Sequence, residues 1–309
     1  MLKKHRAELF LFLGAITFAF NGVVAKIVLK NGLDSWHMVQ IRCTGALVII
    51  LAYVLFKFPH AIKIKRSEFP LLFAFGLFGV AAVQFFYFIS IRLLDVSIAL
   101  LIEFTSPIWI VLFMRFILKK HISPLMWWGL GIGFGGMILL AQVWKGLTLD
   151  GWGVIAAILD AFALAAYFLL GEKLGKIKSS EVMMVWGFGI TAAIFAIIKP
   201  WWSYPTEIFG KKMELAIDGV GPFSGHYSFG WVLILWVIIM GTVVPYFCVI
   251  TGLKGLNAST ASVIGMLEPV LAGIFAWICL SEKLSAVQLA GGAVVLIGIY
   301  LADKAKNSI

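Results

Sequence analysis

Charge is scarce in this sequence. Only 13% of its 309 residues are Asp, Glu, Lys or Arg, whereas about 25% is usual for a soluble domain. Hydrophobic residues make up 62% of the chain, and the mean hydropathy is +1.02. A soluble core cannot bury that much apolar surface. The composition therefore excludes an ordinary globular protein and predicts an all-α protein with many membrane spans.

Cysteine is also rare, and familiar catalytic motifs are missing. Cys43, Cys248 and Cys279 lie in apolar segments without metal-ligand spacing, so we interpret them as small core residues. We find no HExxH pattern, no nucleophile elbow and no phosphate loop, since no Lys-Ser/Thr follows the glycine-rich stretch 129–136. These absences argue against an enzyme, a metal site, a cofactor and a nucleotide-driven pump.

Long apolar windows recur along the whole chain. A helix needs about 20 residues to cross the hydrocarbon layer. The windows predict ten spans, and the weakest separation is the polar break at 252–259, between the eighth and ninth. The spans are predicted at 8–29, 36–56, 69–91, 96–118, 124–143, 151–171, 181–199, 230–252, 257–280 and 285–302.

The net charge of +10 reflects topology rather than nucleic-acid binding. Lys and Arg lie in short connectors between apolar runs instead of on one helical face. With the N-terminus inside, fifteen of them fall on the cytoplasmic side and seven, including Lys283, on the other. The positive-inside rule then predicts a multi-pass protein of the bacterial plasma (inner) membrane with both termini in the cytoplasm.

The two halves of the chain resemble each other. A shift of 162 positions aligns the fourth and fifth spans with the ninth and tenth without a gap. An odd number of spans in each half predicts two inverted five-helix repeats, 1–145 and 146–309, as in many secondary transporters. The aligned residues include the pairs Pro107 and Pro269, Gly129 and Gly291, and Gly136 and Gly298.

One connector is much longer than the others. The segment 200–229 has about 30 residues, is rich in aromatic, Pro and Gly residues, and lies on the predicted outer side. It is either an interfacial loop anchored by Trp201 and Trp202 or an external lid.

Several stretches carry a family resemblance. They are "FAFNGVVAK" at 18–26, "VSIALLIEFTSPIW" at 96–109, "GTVVPYF" at 241–247 and "NASTASVIGMLEPVLAGIFAWICLSEKLS" at 257–285, together with Arg42. With them, essentially the whole chain resembles the ten-span EamA-like branch of the drug/metabolite transporter superfamily. The Ile-Glu-Phe triplet at 102–104 is similar to that of the threonine and homoserine exporters. The resemblance implies two inverted five-helix repeats and proton-driven export of small metabolites such as amino acids.

Polar residues inside the spans are the candidate functional groups. A lone acid at the bilayer centre costs about 2.5–3.5 kcal/mol, so Glu103 is expected to face the bundle interior and to have a partner, Arg42 or Lys26. It either holds a substrate ammonium or carries the coupling proton; the alternative is a static ion pair. Glu268 and Asp160, deep in their spans, are further candidates for proton carriers, with purely structural hydrogen bonding as the alternative.

Other residues complete the predicted path. Pro107, Pro245 and Pro269 remove backbone donors and are expected to bend their helices beside a hydrated cavity. The glycines at 129–136 are expected to pack within the monomer, with a homodimer seam as the alternative. The candidates for the polar and apolar lining are Asn21, Gln40, Gln84, Tyr87, Trp109, Trp186 and Tyr246.

The sequence thus favours a secondary transporter that exports a small polar metabolite, an amino acid or related compound, by alternating access coupled to protons. An uptake permease of the same fold is the first alternative. A passive channel or a membrane-embedded enzyme fits less well, because inverted repeats with buried titratable groups favour a carrier. The expected partners are the substrate, protons, membrane lipids and another copy of the chain.

Overall fold

The computed structural model describes residues 2–94, 96–145, 150–216, 222–280 and 285–305. These ranges leave out Glu282, Lys283 and Lys306. The predicted boundary between the two repeats, at residues 145 and 146, falls at the edge of one of the gaps. The described residues contain ten helices long and apolar enough to cross a membrane, which confirms the predicted number. Spans 1 to 10 are Leu2–Lys30, Ser35–Lys57, Phe69–Leu93, Ile98–Ile117, Pro124–Ala141, Gly151–Gly175, Ser180–Ile198, Gly230–Leu253, Ala258–Cys279 and Ala286–Ala305.

Short polar residues start several spans. In each case a side-chain oxygen accepts the backbone N–H three residues on, which satisfies a donor that has no partner in the first helical turn. Asn257 caps span 9 in this way, so the weakest predicted separation, between spans 8 and 9, is confirmed. The capping residues of this kind are Asp34, Asp150, Ser179 and Asn257.

Spans 4 and 9 are both interrupted, and at equivalent positions. In span 4, the helices Val96–Glu103 and Ser106–Leu112 are separated by a turn at 104–105, and the π segment Phe113–Ile117 follows. In span 9, the helices Ala258–Gly265 and Leu267–Leu280 are separated at Met266. The proline of each span lies in the first turn of its second segment, where a missing N–H is tolerated. Each proline therefore lies in the first turn of a new helical segment and does not bend a continuous helix.

Spans 3 and 8 share a second irregularity. Each contains a π-helical segment, Phe75–Ala81 in span 3 and Ile239–Val243 in span 8. Residues 77–81 of span 3 become 239–243 after the shift of 162 positions. A π turn interrupts the regular backbone hydrogen bonding of an α-helix and is frequent at functional sites. Pro245 is the second residue of the helical segment Val244–Leu253 that follows the π segment of span 8.

Glycines bring spans 5 and 10 into backbone contact. A Cβ on Gly129 would lie 2.8 Å from the carbonyl oxygen of Gly298, and a Cβ on Gly136 would lie 2.7 Å from that of Gly291. The two contacts are equivalent under the shift of 162, so the crossing is self-complementary. Gly131, in contrast, has nothing within 4 Å of its Cβ position. Three of the five glycines at 129–136, namely Gly129, Gly133 and Gly136, thus pack within the monomer, as predicted.

The long connector between spans 7 and 8 contains a small folded cap. The cap comprises the one-turn helix Glu207–Gly210 and an antiparallel pair of strands, β1 (Lys212–Glu214) and β2 (Tyr227–Phe229). Met213 of β1 is fully buried, whereas Trp202 is 90% exposed. The amine of Lys211 donates to the carbonyl of Asn31, so the cap rests on the end of span 1.

Candidate functional site

A cavity of about 760 Å³ lies within the helical bundle. Spans 1, 3, 4, 6, 8 and 9 supply most of its wall. It extends to one end of the bundle, because its lining includes residues at the ends of spans on that side. These residues are Leu29, Ile91, Ile98, Gln142 and Gln288.

The opposite end of the bundle is tightly packed between spans 1 and 8. A Cβ on Gly14 would lie 2.8 Å from Cγ2 of Val249, and one on Gly252 would lie 2.6 Å from Cγ of Leu11. Leu11 and Val249 also line the inner end of the cavity. The cavity therefore opens toward one side of the bundle, and spans 1 and 8 meet closely on the other side.

Two carboxyl groups line the cavity, and a third lies next to them. Glu103 is 8% exposed, and its Oε2 has no hydrogen-bond partner among the described residues. Glu268 also lines the cavity. Asp160 is fully buried behind the lining, and neither of its carboxyl oxygens has a partner in the described part of the chain. The three groups lie near enough for their charges to act on the Tyr87 hydroxyl, and so does the Arg42 guanidinium. We call Glu103, Asp160 and Glu268 the carboxyl cluster. Repulsion between such like charges falls when one acid is protonated or a cation lies nearby.

The interrupted helices place two of these acids at opposite helix ends. Glu103 is the last residue of the first segment of span 4, and Glu268 is the second residue of the second segment of span 9. The partial positive charge of a helix N-terminus stabilises an anion, and the C-terminus stabilises a cation. A negative charge is therefore better accommodated at Glu268, and a cation or proton at Glu103.

Arg42 is not the partner of Glu103. Its Nε donates to Thr242 Oγ1 at 3.0 Å, Nη2 donates to the Gly241 carbonyl at 2.9 Å, and Nη1 makes a longer bond of 3.4 Å to Gln84 Oε1. The guanidinium thus joins span 2 to the π segment of span 8 and to span 3. Among the described residues, Oε2 of Glu103 has no hydrogen-bond partner. The predicted pairing of Glu103 with Arg42 is wrong for this conformation, and the pairing with Lys26 stays a prediction.

Gln84 and Tyr246 meet across the two halves of the chain. Gln84 Nε2 donates to the Tyr246 hydroxyl at 2.6 Å, and these residues are themselves 162 positions apart. Both line the cavity, as do Asn21, Lys26 and Tyr87. Five of the residues predicted for the path are therefore brought together around one space, in addition to Glu103, Arg42 and Glu268.

Other predicted lining residues lie elsewhere. Gln40 is fully buried and donates to the Lys199 carbonyl at the end of span 7. Trp109 is 37% exposed on the outside of the bundle, and its indole N–H donates to Thr105 Oγ1. Neither lines the cavity, and neither does Trp186. The position of a residue along its span does not reveal which way its side chain points around the helix.

The three prolines differ in their relation to the cavity. Pro269 lines it, whereas Pro107 and Pro245 lie outside the lining. Pro107 still begins the helical segment that follows the break next to Glu103. Its effect on the cavity is therefore exerted through the backbone.

Sequence reasoning missed several residues of the site. Thr242 holds Arg42, and Tyr167 and Phe168 line the cavity. Tyr167 follows Asp160 by seven residues, which is two helical turns and thus the same face of span 6. That spacing is a signal that could have identified it. Thr242 lies within the "GTVVPYF" stretch, but only the fold brings it beside Arg42.

Gln142 joins the mouth of the cavity to span 10. It adopts the left-handed conformation, with φ of 50°, directly after span 5, and its amide donates to Ser285 Oγ. Glycine is the usual residue in this position of a helix end. A lone Gln at a helix boundary gave no signal in the sequence.

Known proteins are similar to most of this chain. An uncharacterized transporter from Bacillus subtilis (strain 168), YdfC, is 24% identical over 97% of this chain and 92% of its own. The threonine/homoserine exporter RhtA of Escherichia coli (strain K12) is 26% identical over 81% of this chain and 76% of its own. RhtA of Salmonella typhimurium (strain LT2) is 26% identical over 79% of this chain and 73% of its own.

A solved crystal structure supports the same fold. It superposes with a TM-score of 0.75 at 18% identity and covers 97% of this chain and 96% of that one. The sequence pattern of the EamA-like transporter family matches the chain twice, over residues 5–142 and 151–302. These two stretches together include nearly all ten spans. The chain belongs to the EamA-like transporter family.

Proposed function

We propose that this transporter exports a small polar metabolite, an amino acid or related compound, by alternating access. The observation that carries the proposal is the cavity that holds Glu103 and Glu268 and reaches only one end of the bundle. A carrier needs a binding space that is open to one side and closed to the other. Export of amino acids is supported by the similarity to the two threonine/homoserine exporters.

The carboxyl cluster provides the means of proton coupling. Protonation of one acid removes like-charge repulsion, and a substrate ammonium does the same, so proton and substrate compete for one site. Such competition is the basis of antiport. Glu103 is the main candidate, because it lines the cavity and has an oxygen without a partner.

The two halves of the chain supply the moving parts. We propose the division 1–145 and 146–309 with opposite orientations, supported by the paired helix breaks, the paired π segments and the self-complementary crossing of spans 5 and 10. With both termini in the cytoplasm of a bacterial inner membrane, the open end of the cavity faces outward. Rocking of one half against the other would then separate spans 1 and 8 at the closed end.

Transport by purified protein in proteoliposomes tests this proposal. A counterflow assay with a panel of amino acids, amines and nucleobases identifies substrates, and an imposed pH gradient reveals coupling. We expect Glu103→Gln to abolish stimulation by the pH gradient. Glu207→Gln makes the same change on the exposed outer cap and should transport normally. Full pH-driven transport by folded Glu103→Gln would exclude Glu103 from the mechanism.

The same assay separates the alternative functions. An uptake permease accumulates substrate in the direction opposite to export when the physiological proton gradient is applied. A passive channel gives flux that neither saturates nor exchanges. Spans 1 and 8 pack closely at Leu11 and Val249, at the end of the cavity, and this close packing favours a carrier over a channel.

A further inference from the structure

The cavity is large for an amino acid as small as threonine. Its volume of about 760 Å³ falls in the range of roughly 300–1,000 Å³ that encloses drug-sized ligands. A small polar solute in such a space would remain mostly surrounded by water and would contact few side chains. The size of the cavity therefore favours a substrate with a larger body.

Aromatic rings form one continuous side of this space. Tyr246 contacts Phe18 edge to face at 5.2 Å and Tyr167 at 5.9 Å between ring centroids, and Tyr167 contacts Phe168 at 5.6 Å. All four residues line the cavity. We call them the aromatic wall. Rings of this kind pack on apolar and aromatic groups and attract cations to their faces.

Two acceptors on residues of the cavity lining have no hydrogen-bond partner in the described part of the chain. They are Oε2 of Glu103 and Oδ1 of Asn21. A primary ammonium carries three N–H donors and one positive charge. It therefore supplies both what the unpaired acceptors lack and what the carboxyl cluster needs electrostatically.

The guanidinium of Arg42 is poorly placed to anchor a substrate carboxylate. Arg42 is 6% exposed and uses Nε, Nη1 and Nη2 to hold Thr242, Gln84 and the Gly241 carbonyl. These bonds use three of the five N–H donors and hold the guanidinium against spans 3 and 8, so turning it toward a substrate would break them. Recognition consequently depends on the amine end and the apolar body of the substrate.

We infer that this cavity binds primary amines that carry an aromatic or similarly large apolar group, with the ammonium at the carboxyl cluster and the body on the aromatic wall. The inference rests on the proposed transport function and narrows its substrate class, because among amino acids and related amines it favours those with a large apolar group over threonine. The substrate's carboxylate is dispensable, so an aromatic amine and the matching amino acid both bind. A small hydroxylated amino acid binds weakly.

Four probes distinguish the parts of this recognition. Binding of phenethylamine, phenylalanine, 3-phenylpropanoate and threonine to the purified full chain in nanodiscs is measured by calorimetry. We expect phenethylamine and phenylalanine to bind within about tenfold of each other, threonine to bind at least about tenfold more weakly, and 3-phenylpropanoate not to bind. Equal binding of threonine and phenylalanine, binding of 3-phenylpropanoate as strong as that of phenethylamine, or no binding of any probe would each overturn the inference.

A pair of variants tests the aromatic wall. Phe18→Leu removes a ring from the wall and is expected to weaken phenethylamine binding about tenfold. Phe12→Leu makes the same change on span 1 at a residue that is 42% exposed and outside the cavity lining, and should bind like the parent. Equal phenethylamine binding by the two folded variants would contradict a role of the aromatic wall in binding.

Failure of the inference is distinguishable from failure of the proposed function. If none of the four probes binds but the protein exchanges another metabolite of the transport panel, the inference is wrong and transport stands. If nothing in the panel is exchanged by folded protein, the proposed function itself is rejected.

Discussion

The crossing of spans 5 and 10 allows a sharp test of the packing, because neighbouring glycines in span 5 face opposite environments. A Cβ on Gly136 would lie 2.6 Å from the backbone nitrogen of Val295 and 2.7 Å from the carbonyl oxygen of Gly291. A Cβ on Gly135 would meet nothing within 4 Å. Gly136→Ala and Gly135→Ala therefore form a matched pair with the same chemical change and nearly the same helix position.

The structure sets the magnitude of the difference. Backbone atoms of span 10 cannot rotate away as a side chain can, so they must recede by roughly 0.8 Å to restore ordinary contact at 3.4 Å. A gap of that size forfeits about a quarter to a half of the dispersion energy of the neighbouring contacts. Overpacking of this kind costs about 1–3 kcal/mol. The helix-propensity gain of alanine over glycine, about 1 kcal/mol, is common to both variants and cancels in their comparison.

Unfolding of the purified variants in mixed micelles measures this difference. We expect Gly136→Ala to be less stable than Gly135→Ala by about 1–3 kcal/mol in free energy of unfolding, with Gly135→Ala at least as stable as the parent. Equal stability of the two variants would refute the backbone contact between spans 5 and 10. A selective loss for Gly135→Ala would instead place the tight interface on the other face of span 5.

Three further predictions concern separate parts of the molecule. Arg42→Lys keeps the charge but loses the planar fork, so at least one of its acceptors is left unpaired and the free energy of unfolding should fall by about 1–3 kcal/mol; unchanged stability would show that the three bonds matter little. Gly241→Ala places a Cβ 1.8 Å from Oδ1 of Asn21 and should displace that side chain, which is checked as weakened substrate binding with retained fold; unchanged affinity would contradict the contact. Burial raises the pKa of Asp34, but hydrogen bonds from His37 outweigh it and hold this pKa below its usual range. The resulting stabilisation is present above about pH 4 and is lost as the pH falls through the lowered pKa, so Asp34→Asn should remove that part of the acid dependence of the melting temperature; an identical pH profile would argue against it.

The spans were predictable because the requirement for about 20 apolar residues is a strong constraint on the sequence. The number of spans is confirmed, and the weak separation between spans 8 and 9 is real because Asn257 caps the following helix. The breaks within spans 4 and 9 were harder to infer. Proline predicted a disturbance near each, but Thr105 and Met266 carry no signal for the turn itself.

The residues of the candidate site were easier to predict than their contacts. Glu103, Arg42 and Lys26 were expected to meet in the bundle interior, and all three line the cavity. The pairing of Glu103 with Arg42 was wrong because the π segment of span 8 presents a carbonyl and the Thr242 hydroxyl to Arg42, and nothing in the sequence distinguishes a π turn from an ordinary one. Gln40 was also expected to line the cavity, but its side chain is directed to the end of span 7.

The engagement of Arg42 bears on how this fold can move. Its bonds join spans 2, 3 and 8, so any motion that separates these spans must leave a buried guanidinium without partners, at a cost of about 3–5 kcal/mol for an uncompensated charge. The contacts between spans 1 and 8 at Leu11 and Val249 are apolar, and hydrocarbon chains of lipid or protein can replace them at little cost. A rocking motion that spares the first set and opens the second therefore has the lower barrier. Arg42 would then serve as the fixed point about which the closed end of the cavity opens.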